Sequence, residues 1–276
     1  VILELLDASA GEFLGFTTVD YTLEAEGKAI DLARLQELWE QKLEPVFPYR
    51  KAGEFVPALE HDCPANKRVA PSVRLATPRV VIPVFPGTNC EYDTARAVER
   101  AGGAAEILVI NNLTPEAITQ SIAEASRMIA RSQMIVLPGG FSGGDEPDGS
   151  AKFIASFFRN PAVTEAVRDL LQHRDGLMLG ICNGFQALIK LGLVPYGDIR
   201  PITAYDPTLT FNTIGRHQSM LVRTRIASTG SPWLSKCEVG EQFTVAISHG
   251  EGRFVAPQEV LDTMLRNGQV ATQYVD

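Results

Sequence analysis

The stretch that decides the fold is "GLMLGICNGFQALIKLGL", residues 176–193. Its first part is a continuous apolar run, which predicts a buried strand, and its second part has the apolar spacing of an amphipathic helix. Cys182 occupies the corner, with Gly180 two residues before it and Gly184 two residues after it. This pattern is the cysteine form of a nucleophile elbow, whose sharp turn leaves no space for Cβ atoms beside the nucleophile. The helix that follows directs its N-terminal amides at the sulfur, so we predict a reactive Cys182 rather than an inert core thiol.

Outward from the elbow, the chain alternates between apolar runs and helical segments from residue 79 onward. The predicted strands are "RVVIPVF" (79–85), "AEILVI" (105–110), "QMIVLP" (133–138) and "GLMLGI" (176–181). Unbroken apolar strands separated by helices are typical of a parallel sheet that is covered on both faces. We therefore predict an α/β fold with a mostly parallel sheet and helices on both faces, followed by a more β-rich part after Gly192.

Residues 1–78 differ from the rest and predict a small N-terminal α+β segment. A strand-like alternation comes first, then a helix that Asp31 caps, then an aperiodic stretch rich in proline and alanine. We interpret 1–78 as the tail of a preceding domain with a linker, and 79–276 as the main domain. The chain is accordingly expected to be a piece of a longer polypeptide.

Composition excludes several function classes. The formal net charge of -8 argues against nucleic-acid and anionic-membrane partners, and no apolar run is long enough to span a bilayer. The 4 cysteines are widely spaced and show neither a zinc pattern nor a disulfide framework. We expect a cytoplasmic setting and no metal in this chain.

A second cysteine, Cys90 in "FPGTNCE", also joins a strand to a helix. Its neighbours two residues away are Thr88 and Tyr92, which would crowd a tight elbow. We therefore predict a packed first-turn residue at Cys90, and Cys182 remains the candidate nucleophile.

A cysteine nucleophile needs a base and a group that orients this base. His249 lies in "SHGEG" after a predicted strand, and Glu251 follows two residues later between two glycines. The other histidines lie in the linker, on a helix-terminal surface segment, or beside no acidic residue: His61, His173 and His217. We predict a triad of Cys182, His249 and Glu251.

The glycine-rich loop "PGGFSGG", residues 138–144, is a candidate oxyanion hole. The amides of Gly140 and Asn183 could together hold a developing oxyanion beside the cysteine. A phosphate-binding loop is excluded because no Lys-Ser/Thr pair follows and the next residues are acidic: Asp145, Glu146 and Asp148.

Together, "GICNGFQ", "SHGEG" and "PGGFSGGD" resemble the loops of the class I, triad-type glutamine amidotransferases. "FPGTNCEYDTARA" and the asparagine after "GIC" are similar to those of the glutaminase domain of phosphoribosylformylglycinamidine synthases. The resemblance covers about residues 79–276 and implies a flavodoxin-like fold, with 1–78 as the tail of a synthetase domain.

The resemblance implies Cys182 as nucleophile, His249 as base and then acid, Glu251 as its orienter, and Gly140 with Asn183 as oxyanion donors. It implies four contacts to the substrate glutamine: Gln186, Asn212, Arg216 and Ser219. The implied activity is glutamine hydrolysis that supplies ammonia to a synthetase in the same polypeptide or a partner subunit. There, with ATP and magnesium, formylglycinamide ribonucleotide becomes the amidine in de novo purine synthesis, whereas no cofactor is expected in this chain.

Two other functions stay open at the level of the sequence. A stand-alone cysteine hydrolase of the stress-protein or intracellular-peptidase type shares the elbow, although such proteins often place histidine directly after the nucleophile, where this chain has Asn183. A catalytically idle scaffold or regulatory module is the third possibility.

Overall fold

The structure is a computed structural model, and it describes residues 15–46, 61–64, 75–143 and 149–275. The chain divides into two compact units, Val1–Gly53 and Glu54–Asp276. Most of the predicted linker lies outside the described residues, as do three acidic residues of the glycine-rich loop: Asp145, Glu146 and Asp148. The predicted domain boundary at residue 78 stays a prediction.

The first unit contains an antiparallel hairpin of β1 (Thr22–Ala25) and β2 (Lys28–Asp31), followed by helix α1 (Leu32–Gln41). The Asp31 carboxylate accepts hydrogen bonds from the amides of Ala33 (2.9 Å) and Arg34 (3.2 Å). This contact satisfies amides that have no partner within the helix, and it confirms the predicted N-cap.

The second unit contains the remaining elements. Its first half comprises β3 (Arg79–Val84), α2 (Glu91–Arg100), β4 (Ala104–Val109), α3 (Pro115–Ala130), β5 (Met134–Leu137), α4 (Lys152–Phe158), α5 (Pro161–Arg168), a π-helical turn (Asp169–His173), β6 (Leu177–Gly180), α6 (Asn183–Leu191) and the short α7 (Leu193–Tyr196). Its second half comprises β7 (Thr208–Thr210), β8 (Gln218–Ile226), a 3-10 turn (Pro232–Leu234), β9 (Gln242–His249), β10 (Arg253–Val255), α8 (Gln258–Arg266) and β11 (Thr272–Val275). None of the helices in the described ranges is both long enough and apolar enough to cross a membrane.

The central sheet has the strand order β4-β3-β5-β6, and all of its strand pairs are parallel. Alternate residues of β3 belong to different apolar clusters, as the period of two in a strand requires. Val81 packs with residues of α3 to α6 on one face, whereas Val80 and Ile82 pack on the other face with Ala95 of α2. The predicted parallel sheet with helices on both faces is confirmed.

A separate antiparallel sheet of order β11-β8-β9 carries the histidine end of the candidate site. In its register Gln218 lies opposite His249, and Ser219 lies opposite Ser248. His249 is the last residue of β9, so its backbone pairs with β8 and then continues into a loop.

Candidate active site

Cys182 lies at the corner between β6 and α6, as predicted. Its side chain is exposed, and its backbone has φ 52° and ψ -108°, outside the conformations that non-glycine residues usually adopt. Strain of this kind persists only where the surrounding structure imposes it, and it concentrates at functional sites.

The two glycines of the elbow are required by close packing. A Cβ atom added at Gly180 would lie 2.5 Å from the carbonyl oxygen of Gly184. One added at Gly184 would overlap the backbone and side chain of Leu137 at the end of β5. The predicted reason for glycine at both positions is confirmed.

The glycine-rich loop lies directly against the elbow. A Cβ atom at Gly139 would be 3.2 Å from the Cβ atom of Cys182. The amide of Asn89 donates to the carbonyl of Gly139 (2.9 Å), and the amide of Phe141 donates to the carbonyl of Gly87 (2.9 Å). These two hydrogen bonds form the bridge between Thr88 and Gly140. The bridge therefore does not use the amide of Gly140, which has φ 128°.

A buried polar chain connects this loop to the histidine loop. The Ser142 amide donates to Asn183 Oδ1 (3.3 Å), Asn183 Nδ2 donates to Gln186 Oε1 (3.0 Å), and Gln186 Nε2 donates to the carbonyl of Glu251 (2.9 Å). Both ends of the Gln186 amide are thus engaged within the protein, and a contact from Gln186 to glutamine stays a prediction.

The imidazole of His249 is held from two sides. Its Nδ1 lies 2.9 Å from Oδ1 of Asn212, and the ring lies so close over Gly252 that a Cβ atom there would overlap it. Its Nε2 is buried and has no hydrogen-bond partner among the residues that the structure describes. Burial of the ring, and secondarily the charge of nearby His217, lower the pKa of His249 from its ordinary value of 6.5.

Glu251 is buried, and its carboxylate contacts the segment that follows the glycine-rich loop. Its Oε2 accepts a hydrogen bond from the hydroxyl of Ser150 (2.6 Å) and another from the amide of Ser150 (3.1 Å). His249 Nδ1 therefore has Asn212 as its hydrogen-bond partner, whereas the Glu251 carboxylate connects the histidine loop to Ser150.

The thiol and the imidazole lie at the same end of β9. Cys182 Sγ is 3.9 Å from the carbonyl oxygen of Ser248, the residue before His249. Because His249 Nε2 has no partner in the described part of the chain, the two groups are not hydrogen-bonded here. On the His249 face of the strands lies a cavity of about 290 Å³, whose lining includes Gln218, Met220, His249, Arg253 and Tyr274.

The other predicted glutamine contacts, Arg216 and Ser219, lie beside these groups. The Arg216 carbonyl accepts a hydrogen bond from Asn212 Nδ2 (3.0 Å). Ser219 Oγ is 3.3 Å from the hydroxyl of Ser248, which is also 2.8 Å from Nε2 of His217. Their contacts to substrate stay predictions, as does the oxyanion role of Gly140 and Asn183.

This chain is similar to known proteins in sequence and in fold. A family model described as the CobB/CobQ-like glutamine amidotransferase domain matches residues 77–276. The phosphoribosylformylglycinamidine synthase subunit PurQ of Rubrobacter xylanophilus is 33% identical over 198 residues, 72% of this chain and 76% of that protein. The chain belongs to the PurQ family of glutamine amidotransferases. The PurQ subunit of Mycolicibacterium paratuberculosis is 36% identical over 199 residues, 72% of this chain and 75% of that protein.

A solved structure agrees with the PurQ-family assignment. The structure of PurLQS from Thermotoga maritima matches with a TM-score of 0.52 and 26% identity, covering 72% of this chain and 76% of the matched chain. The class I amidotransferase form of the α/β fold, predicted from the order of the loops, is thereby confirmed.

One prediction about this PurQ-family chain was wrong. Cys90 is exposed rather than packed. It is the N-cap residue of α2, with φ 67°, and its side chain makes no hydrogen bond to the helix. The physical reason is that Cys90 is the N-cap and not a residue of the first turn, since it lies in the left-handed corner just before α2 begins at Glu91.

Two polar contacts of the site were not predicted from the sequence. Ser150 binds the Glu251 carboxylate, and Asn212 was predicted as a substrate contact rather than as the partner of His249. No direct signal for either contact exists in the sequence, since the partners lie 101 and 37 positions apart.

Metal ligands do not cluster in the described part of the chain, where no group of three or more His, Cys, Asp or Glu side chains could hold an ion. A larger cavity of about 510 Å³, whose lining includes Arg159, Thr164 and Arg200, contains none of the predicted site residues.

Proposed function

We propose that this chain hydrolyses glutamine through Cys182 and supplies the ammonia to a synthetase that forms formylglycinamidine ribonucleotide. The observation that carries this proposal is the strained, exposed Cys182, packed against a glycine-rich loop and next to the strand end that bears His249. Membership of the PurQ family supports the choice of glutamine as substrate.

In the proposed reaction the Cys182 sulfur attacks the side-chain carbonyl of glutamine, with His249 Nε2 accepting the thiol proton. The tetrahedral intermediate carries a negative oxygen, which the amides of Gly140 and Asn183 stabilise. Collapse breaks the C–N bond, and the His249 proton leaves with ammonia. Water then attacks the thioester, gives up a proton to His249, and releases glutamate and the free thiol.

Glu251 is the proposed third member of the catalytic triad. For this role its carboxylate has to reach His249 Nδ1, whereas its Oε2 is bonded to Ser150 in the present geometry. The amide oxygen of Asn212 lies at His249 Nδ1, where the Glu251 carboxylate would have to accept a hydrogen bond in order to orient the ring.

The fate of the ammonia is proposed from the relatives. The similar Thermotoga maritima structure is of PurLQS, and the similar curated proteins are synthase subunits. We propose a synthetase partner, in the same polypeptide or as a subunit, where ATP and magnesium activate formylglycinamide ribonucleotide. A cytoplasmic setting stays a prediction.

The experiment compares two exposed cysteines that each have a positive φ and lie at a helix N-terminus, Cys182 and Cys90. Glutamate release from glutamine, with a PurL-type synthetase present, should be abolished in Cys182→Ala and retained in Cys90→Ala. A glutamine-like chloroketone should label Cys182 in the chain alone.

Labelling at Cys90 instead, or glutamate release that survives Cys182→Ala, would contradict the proposal. Labelling of Cys182 by peptide-based probes but not by the glutamine analogue would favour the stand-alone hydrolase.

A further inference from the structure

The turn at residues 85–89 lies against the glycine-rich loop, and the proposed reaction gives it no role. The amide of Asn89 donates to the carbonyl of Gly139 (2.9 Å), and the amide of Phe141 donates to the carbonyl of Gly87 (2.9 Å). Both contacts join main-chain atoms, so they fix the orientation of peptide groups in the loop.

The hydrogen bond from Asn89 determines which way the Gly140 amide points. The peptide between Gly139 and Gly140 is trans, and in a planar trans peptide the carbonyl oxygen and the N–H point in opposite directions. Because the Gly139 oxygen faces Asn89, the N–H of Gly140 faces away from the turn. Among the described residues this N–H donates to no acceptor.

The two glycines of this peptide have different neighbours. A Cβ atom at Gly139 would lie 3.2 Å from the Cβ atom of Cys182 and 3.9 Å from its Sγ. A Cβ atom at Gly140 would instead lie 2.5 Å from the carbonyl oxygen of Gly87. The peptide that joins them therefore lies between the thiol and the turn.

Gly87 allows the turn to come this close to the loop. It has φ 90°, and a Cβ atom there would overlap the carbonyl oxygen of Phe141. The turn is closed by two hydrogen bonds, from the Phe85 amide to the Thr88 hydroxyl (3.0 Å) and from the Thr88 amide to the Phe85 carbonyl (2.9 Å). Since Phe85 is buried in the main apolar cluster, the turn connects the core of the second unit to the glycine-rich loop.

We propose that Gly87 is a positioning residue for the oxyanion hole. It lets the turn hold the Gly139–Gly140 peptide so that the N–H of Gly140 faces the thiol side of the loop. The inference deepens the proposed glutaminase function and rests on the oxyanion role that this function gives to Gly140. Two adjacent glycines restrict their shared peptide very little, so contacts from outside the loop have to orient it. A donor that is already oriented stabilises the oxyanion without rearrangement during the reaction.

The test compares two reagents that modify Cys182 in the full chain and differ in whether an oxyanion forms. Attack on p-nitrophenyl acetate passes through a tetrahedral oxyanion, forms the C–S bond of a thioester and expels p-nitrophenolate, while the thiol proton passes to His249. Iodoacetamide is attacked at its CH2 carbon, where iodide leaves and no oxyanion develops. Peptide mapping by mass spectrometry measures both rates at Cys182.

In Gly87→Ala the acylation of Cys182 should slow about a hundredfold, the loss expected when one oxyanion donor is displaced, whereas alkylation should keep its native rate. With a PurL-type synthetase present, kcat for glutamine should fall by a similar factor with little change in KM.

The matched control is Gly102→Ala, because Gly102 also has φ 90° but has open space where the Cβ atom would lie. It should keep native rates with both reagents. The control therefore separates the backbone strain that both variants share from the overlap with the loop, which only Gly87→Ala introduces.

Thr88 supplies a milder change, which carries the test if circular dichroism shows that Gly87→Ala is unfolded. Thr88→Val removes the hydroxyl that accepts from the Phe85 amide and so loosens the turn, whereas Thr88→Ser keeps this hydroxyl. Acylation of Cys182 should slow in Thr88→Val and stay native in Thr88→Ser, with native alkylation in both.

The outcomes separate this inference from the proposed function. Native acylation in folded Gly87→Ala, equal slowing of acylation and alkylation, or slow acylation in Gly102→Ala would overturn the role of Gly87, even if Cys182-dependent glutamine hydrolysis is found. The expected difference between the reagents in a chain that releases no glutamate would support the positioning role and contradict the glutaminase proposal. A native chain that p-nitrophenyl acetate does not acylate at Cys182 would overturn the oxyanion hole and this inference with it.

Discussion

At the scale of single residues, the ring of His249 occupies the space that a side chain at position 252 would need. Nδ1, Cε1 and Nε2 all lie within overlap distance of a Cβ atom at Gly252, whereas a Cβ atom at Gly250 would have His217 Nδ1 as its nearest neighbour, at 4.0 Å. The two glycines of "HGEG" thus have different roles, and Gly252 is the one that admits the imidazole.

Gly252→Ala should move the imidazole away from Asn212 and lower glutamine hydrolysis by about a hundredfold, the effect expected from roughly 1 Å of misplacement. Gly250→Ala is the control and should keep activity close to that of the native chain. Steady-state glutamate release measures both. Equal activity of the two variants would show that the ring position is not fixed by Gly252.

The pH dependence of the reaction should reflect the lowered pKa of His249. A lowered pKa keeps the base neutral to more acidic pH, so the acid limb of kcat/KM for glutamine should lie below pH 6.5, the ordinary histidine value. His217→Gln removes a nearby positive charge and should move this limb to higher pH, whereas His217→Arg should move it to lower pH.

The control for this pH experiment is His173→Gln, a change of an exposed histidine at the end of a π-helical turn. It should leave the profile in place. Shifts of the same sign in His217→Gln and His217→Arg would show that charge at position 217 does not act on His249.

At the scale of elements, the elbow depends on how closely α6 approaches β5. The amide of Gly184 donates to the carbonyl of Pro138 (3.1 Å), and its Cα faces Leu137 without room for a methyl group. The same close approach puts Asn183 next to Ser142 in the glycine-rich loop. Backbone contact between a helix and a strand therefore positions the nucleophile relative to the candidate oxyanion hole.

Gly184→Ala should destabilise the second unit by about 2 kcal/mol, since an extra methyl group in a filled space forces the helix away from the sheet. Gly143→Ala is the comparison, because its Cβ would have ordinary contacts, the nearest being 3.7 Å from the Pro86 carbonyl. Chemical unfolding of both variants measures the difference, and similar stabilities would argue against the close-packing account of the elbow.

The ends of some helices are set by local contacts. Thr114 caps α3 through a hydrogen bond from the Ala117 amide to its hydroxyl (3.1 Å), with Pro115 at the first helical position. Such caps involve residues three positions apart, so a short stretch of sequence contains all the necessary information. Cys90 shows the limit, because the local sequence did not indicate its left-handed N-cap conformation or its exposure.

At the scale of the whole molecule, residues 61–64 belong to the second unit, although they precede its central sheet by more than a dozen residues. The Cys63 amide donates to the carbonyl of Ala227 (2.8 Å), and the buried Arg225 pairs with Asp62 and with Gln273 (2.9 Å). This short segment covers an end of the antiparallel sheet and satisfies a buried guanidinium.

A chain that starts at residue 54 should keep the unfolding midpoint of the second unit, whereas a chain that starts at residue 65 should lose about 2 kcal/mol. The loss is expected because Arg225 would lose its contacts with Asp62 and with the His61 carbonyl, and Ala227 would lose the amide of Cys63. Denaturant unfolding of the two truncated chains tests this, with Arg225→Met in the shorter chain as a control that removes the unpaired charge. If both chains are equally stable, the segment does not contribute to folding.

Local sequence was sufficient to predict the parallel sheet and the elbow at Cys182. Strand and helix periods, glycine spacing and caps are set by residues within a few positions of one another, which is why these features could be predicted. The catalytic roles of His249 and Glu251 stay predictions, which rest on the position of their short loop directly after a predicted strand.

The contacts of these side chains depend on the three-dimensional fold. His249 meets Asn212 across 37 positions of sequence, and Ser150 meets Glu251 across 101. Several oxygens near His249 and Ser150 can accept a hydrogen bond from an imidazole N–H or a hydroxyl. Small differences in distance decide which oxygen is the acceptor. Those distances are set by strand register and by the packing of α6 on β5, which no local stretch of the chain contains.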